Sequence, residues 1–179
     1  MVNGIRGYGL VRMAAGALLL GLAAAESADQ PKPAKYIETL KYSGPSPGVH
    51  AEGEVGNGRQ IFVDRVYRHA ELPTELLGAD QVLTANNDKY FRPTNLLELT
   101  VRGGTVVSVA HDDRIDRPAW LTNQFQPVDL TVLVEGRPLK VFQHRAPAPE
   151  RLILGGDVPV ADGTSCYMYV VFVQAARKP

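Results

Sequence analysis

The chain of 179 residues contains one cysteine, Cys166. No intramolecular disulfide can form, so the fold must rest on its apolar core. Charge of either sign is also missing in excess: 19 Lys and Arg balance 19 Asp and Glu, for a formal net charge of +0. That balance gives no bulk field for phosphate backbones and excludes a non-specific nucleic-acid binder. No apolar run reaches the roughly 20 residues of a bilayer-spanning helix, which argues against a permanent membrane anchor. There is no phosphate loop and no His-Glu-x-x-His or Cys-x-x-Cys pair. His50, His69, His111 and His144 have no short metal-ligand spacing. Helical periodicity is scarce as well, limited to Pro73-Thr-Glu-Leu-Leu77 before Gly78.

What is present begins with an unlike N-terminus. Arg6 and Arg12 occur with no acid, and the run from Met13 to Ala25 is entirely apolar or small. This is the pattern of a secretory signal, 1–25, with Ala23 and Ala25 placing the cut before Glu26; a cut after Ser27 is the second reading. Removing it leaves 17 basic against 19 acidic residues in 154, and the expected location is secreted or periplasmic. Residues 26–58 hold Pro31, Pro33, Pro45, Pro47 and several glycines, and read as an arm or linker in which only Tyr36–Tyr42 looks orderable.

Residues 59–179 form short β-rich runs between turn residues. Ile61, Val63 and Tyr67 fall on one face of the first run. Gln81–Thr84 is a further short strand; Leu97, Leu99 and Val101 alternate before Gly103-Gly104, and Thr105–His111 follows, which reads as a hairpin. Runs at 128–135, 139–144, 151–154 and 167–173 complete about eight strands. The last is apolar on both faces and is the expected central strand. The fold expected is an antiparallel β-sandwich of jelly-roll type. Cys166 precedes that strand and reads as a buried, inert thiol.

The densest polar group is His111-Asp-Asp-Arg-Ile-Asp-Arg117. Asp112, Asp113 and Asp116 are candidate oxygen ligands for Ca²⁺, or an acid and base pair. Against that, Arg114 and Arg117 already balance them, with Asp113 the expected partner of Arg114, and no cofactor is expected. Asp64-Arg65 and Asp88-Lys89 repeat the pattern at strand ends. They are rim ion pairs, or else Asp64, Asp88, Asp113 and Arg114 gather around one cleft; the sequence leaves both open. Among aromatics, Tyr90 and Phe91 form the best loop-borne platform for a sugar ring, with Trp120 next, although Trp120 suits core packing better.

Phe62-Val-Asp-Arg65, Thr84-Ala-Asn-Asn-Asp-Lys89, Val107-Ser-Val-Ala-His-Asp-Asp-Arg114 with Pro118-Ala-Trp-Leu121, and Leu154-Gly-Gly-Asp157 follow in order. Over about residues 59–175 this resembles a β-sandwich module of secreted bacterial polysaccharide lyases and other carbohydrate-active enzymes. The sequence departs from that pattern at Asp157, where the module usually has Asn. The resemblance implies an accessory, non-catalytic role in substrate or surface attachment. The expected ligand is a polysaccharide or envelope glycan, contacted by Tyr90, Phe91, Asp113, Arg114 and Trp120. A hydrolase or lyase using Asp64, Asp113 and Arg114 is the alternative. A structural subunit docked on a secreted protein partner is the third.

Overall fold

A computed structural model describes Met1 and residues 30–157 and 165–177. The expected signal segment lies almost wholly outside the described residues. The described chain forms two antiparallel sheets that share one apolar core, so the expected β-sandwich is present.

The smaller sheet has the order β1-β4-β8, with β1 at Ile37–Tyr42, β4 at Leu97–Val101 and β8 at Glu150–Leu154. Leu40, Leu99 and Leu152 stand in register across it and point inward. The larger sheet has the order β2-β3-β9-β5-β7-β6. Its strands are β2 (His50–Glu52), β3 (Asp80–Leu83), β5 (Thr105–His111), β6 (Gln126–Val134), β7 (Arg137–Ala146) and β9 (Val170–Ala175). As its apolar run predicts, β9 lies inside this sheet, between β3 and β5. Strands β6 and β7 are joined by Glu135 and Gly136, both at positive φ (49° and 73°), the backbone that a two-residue hairpin of type I′ requires.

Every residue of β5 is buried. Val107 and Val109 pair with Val173 and Val171 and face the small sheet. The opposite face carries Ser108 and Phe172, and the long segment 53–79 meets it at Phe172. From that segment His69 lies 5.8 Å from the Phe172 ring, and Val55, Ile61, Leu72 and Leu76 enter the core. Covering both faces explains why the central strands lack the polar alternation of a half-exposed sheet.

Four expectations are corrected. Leu97–Val101 and Thr105–His111 do not form a hairpin; Gly104, at φ 75°, carries the chain from one sheet to the other. Alternation reports which face of a strand is buried, not which strand supplies its hydrogen bonds. Residues 30–58 are not a detached arm: β1 pairs with β4, and β2 pairs with β3. The buried Asp80 carboxylate accepts the backbone N–H groups of Lys35 (2.9 Å), Tyr36 (2.5 Å) and Ile37 (2.9 Å), which ties the start of β1 to β3. The first run, from Arg59, is no strand; it folds back on itself, with the Ile61 N–H donating to the Tyr67 carbonyl at 2.9 Å. Pro73–Leu77 is a turn, whereas a short helix, α1, occupies Ala119–Gln124.

Candidate functional site

The ends of β3, β5 and β8 and the start of β9 meet at one end of the sandwich, and the four sequence motifs converge there. Three of them are held by a carboxylate turned inward: Asp64, Asp88 and Asp112. Asp64 accepts the backbone N–H groups of Asn86 and Asn87, both at 2.8 Å, at the start of a 3-10 helix over Asn86–Tyr90. Such N–H groups have no partner within the helix, so the carboxylate satisfies them. Arg65 donates to the Asp64 carboxylate at 3.2 Å and to Asn87 Oδ1 at 2.6 Å, joining the two loops.

Asp88, one turn further, is buried and accepts from the Tyr42 hydroxyl (2.5 Å), the Ser46 hydroxyl (2.6 Å) and the Ser46 N–H (3.2 Å). Burial first, and then the Asp88 carboxylate, push the Tyr42 hydroxyl well above the ordinary tyrosine range. Lys89 does not pair with Asp88; its ammonium lies 5.2 Å over the Tyr90 ring.

After β5, Asp112 is buried, and Arg114 donates to it from Nε (2.8 Å), from a terminal guanidinium nitrogen and from its backbone N–H (3.1 Å). Asp112 also accepts the Tyr167 N–H at 3.0 Å. Burial raises the Asp112 carboxyl, but the Arg114 fork and the two N–H groups outweigh it and hold the group below its ordinary value. The Arg114 guanidinium lies 5.7 Å from the Tyr167 ring centroid, and that ring stacks on Phe62 at 6.4 Å.

The partner of Arg114 is therefore Asp112 and not the expected Asp113. Asp113 is exposed and pairs with Arg117 at 3.1 Å, while Arg117 lies over the Phe142 ring at 4.9 Å. Asp116 is exposed. Trp120 is half-buried against Tyr169 (5.1 Å) and Phe125 (6.2 Å), and its indole N–H donates to the Gly156 carbonyl at 3.0 Å. Its indole N–H and one ring face are thus engaged within the sandwich. Asp157 is buried beside His111, 3.5 Å away, and burial pushes its carboxyl up. Cys166 is buried, and burial likewise raises its thiol.

Comparison with known proteins places this end in context. No family profile matches the chain. A β-glucuronidase from Formosa agariphila is 27% identical over 117 residues, which cover 65% of this chain and 12% of that protein. The solved structure of a β-glucuronidase from glycoside hydrolase family 2 superposes with a TM-score of 0.72 at 25% identity, over 77% of this chain and 14% of that one. The chain is similar to a β-rich module within a carbohydrate-active enzyme and spans about one-eighth of such a relative's length.

Of the residues that the sequence singled out, Asp64, Arg65, Asp88, Lys89, Tyr90, Phe91, Asp112 and Arg114 come together at this end. Asp113 and Arg117 lie toward β6: Asp113 shares a small surface pocket with Val128 and Lys140. At the shared end Tyr90 and Phe91 are exposed, 54% and 39%. Among the described residues no three His, Cys, Asp or Glu side chains are grouped to hold a metal ion. No helix of the described residues is long and apolar enough to cross a membrane.

Sequence reasoning missed Asp80, Asn86 and Gly156. Asn86 accepts the Met168 N–H at 3.1 Å. At Gly156 an added Cβ would stand 2.2 Å from the Phe91 carbonyl oxygen and 2.8 Å from Arg92 Cα. Glycine is required there because the loop carrying the aromatic pair lies directly on it. The doublet Gly155-Gly156 was the available signal, since adjacent glycines often mark a close backbone approach.

Proposed function

We propose that this chain is an exported, non-catalytic β-sandwich that contacts a glycan through the end bearing Tyr90 and Phe91. The observation that carries the reading is the exposure of these two adjacent rings on a loop held by Asp64, Asp88 and Gly156, in a domain similar to a module of a β-glucuronidase. An exposed ring held in place can receive the apolar face of a sugar, and loop rigidity reduces the ordering cost of binding. Of the carboxylates that the hydrolase or lyase alternative would employ, Asp64 is committed to two backbone N–H groups, while the exposed Asp113 pairs with Arg117 and lies toward β6. Asp64 and Asp113 do not converge on one site, which supports the non-catalytic reading over the enzymatic one.

The test is retention of the purified protein on a panel of acidic and neutral polysaccharides, with product release measured in the same samples. Retention without cleavage is expected, and Tyr90→Ala should weaken it at unchanged melting temperature. New reducing ends or unsaturated products would overturn the non-catalytic reading. Capture of a secreted protein with no glycan retention would replace it with the interaction-subunit reading.

A further inference from the structure

The aromatic pair lies between two cations in the sequence Lys89-Tyr-Phe-Arg92. The surrounding charges differ in direction. Asp88, Asp112 and Asp157 are buried, and Asp64 points at backbone N–H groups. Asp113 and Asp116 are exposed, Asp113 pairing with Arg117, whereas Asp64, Asp88 and Asp112 are turned inward onto donors. The cations of the same loops lie outside them. Arg92 is exposed, Lys89 is half-exposed over the Tyr90 ring, and Arg114 extends over Tyr167 toward solvent. Among the described residues, no carboxylate forms an ion pair with Lys89 or Arg92. Around Tyr90 and Phe91, the inward Asp64 and Asp88 and the outward Lys89 and Arg92 thus make a layer, negative inside and positive at the aromatic surface.

The tetrad is also preorganised. The 3-10 helix ends with the Phe91 N–H donating to the Asp88 carbonyl at 2.8 Å, and Asp88 is itself anchored to Tyr42 and Ser46. Beyond Arg92, the Pro93 carbonyl accepts the Gly156 N–H at 2.9 Å, so the strip between is fastened at both ends. A cation on each side of two rings suits a ligand with apolar faces and anionic substituents in alternation. We infer that this surface takes an anionic glycan, with sugar rings on Tyr90 and Phe91 and uronate carboxylates or sulfate groups on Lys89 and Arg92. The inference rests on the glycan-contacting reading above and specifies the ligand class for the same loop.

The experiment measures retention in affinity electrophoresis on polygalacturonate, dextran sulfate, neutral dextran and, as a polyanion without sugar, polyglutamate. Expected is retention on an acidic glycan above both neutral dextran and polyglutamate. Retention should weaken as NaCl rises and fall about tenfold or more in the Lys89→Gln/Arg92→Gln double variant, since two charge-assisted contacts are removed. Polygalacturonate against dextran sulfate assigns carboxylate or sulfate as the anion. Thermal unfolding of the double variant should be unchanged, because neither side chain supports the fold. Equal retention on neutral dextran, unaffected by the double variant, would overturn the anionic assignment and leave the glycan reading intact. Equal retention on polyglutamate would reduce the site to ion exchange and overturn the inference. Retention on none of the four would remove the reading on which it rests.

Discussion

Replacing Asp112 with Ala, beside the same change at Asp113, separates two neighbouring acids that look alike in sequence. Asp112 is 1% exposed and holds four donors: three from Arg114 and the Tyr167 N–H. Losing the carboxylate strands the Tyr167 N–H at about 1–3 kcal/mol and removes a charge-assisted fork whose guanidinium, one-third exposed, can turn to water. The sum is about 2–4 kcal/mol. Asp113 and Arg117 are 42% and 41% exposed, and an open i,i+4 pair of this kind is worth under about 0.5 kcal/mol. At roughly 3 °C per kcal/mol for a domain of this size, Asp112→Ala should lower the melting temperature by about 6–12 °C and Asp113→Ala by under about 2 °C. Differential scanning calorimetry near neutral pH reads both. The sign with pH follows from the direction of the shift. Asp112 is held below its unfolded value, so its contribution is present above about pH 4 and is lost as pH falls through the folded value. The gap between wild type and Asp112→Ala should therefore narrow in acid. Equal losses in the two variants, or a loss under about 3 °C for Asp112→Ala, would refute the assignment of Arg114 to Asp112.

Three further outcomes follow from the same contacts. Asp80→Ala removes the acceptor for the N–H groups of Lys35, Tyr36 and Ile37, and should cost about 3 kcal/mol, with amide exchange rising first over 35–42. Gly156→Ala should destabilise by about 1–3 kcal/mol and weaken glycan retention together, since the new Cβ must displace the Phe91–Arg92 backbone; retention falling at unchanged stability would contradict this. His144 meets two acceptors, the Gln124 carbonyl and a Glu150 carboxylate oxygen, both at 2.9 Å, so only the doubly protonated ring satisfies both. Burial pulls this ring down, but Glu150 and Gln124 outweigh it and hold it above its ordinary value. Its stabilisation is then full below about pH 6.5 and lost as pH rises through the folded value. His144→Gln should flatten that part of the stability profile, by under about 1 kcal/mol because the pair is partly exposed.

Local periodicity carried the architecture. Leu97, Leu99 and Val101 and the doubly apolar run before Gln174 each report burial through residues close in sequence. Pairing was hidden, because β4 finds its partners near residues 40 and 152 and not beside itself. The same limit applied at the site. The aromatic platform at Tyr90 and Phe91 was visible as two rings in a polar loop, but the inward turn of Asp64, Asp88 and Asp112 depends on donors 22, 42 and 55 residues away. Glycine 156 needed its neighbour loop before its missing side chain had a meaning.

By itself the sequence determined the fold class, the core strand and the absence of disulfides, because hydrophobic period, turn chemistry and cysteine number are properties of the chain alone. Only the tertiary structure decided which acid meets which base, and that Asp64, Asp88 and Asp112 turn in while Lys89 and Arg92 face out. The physical reason is that a charge's partner is set by distance in space, and strands distant along the chain bring those distances below 4 Å.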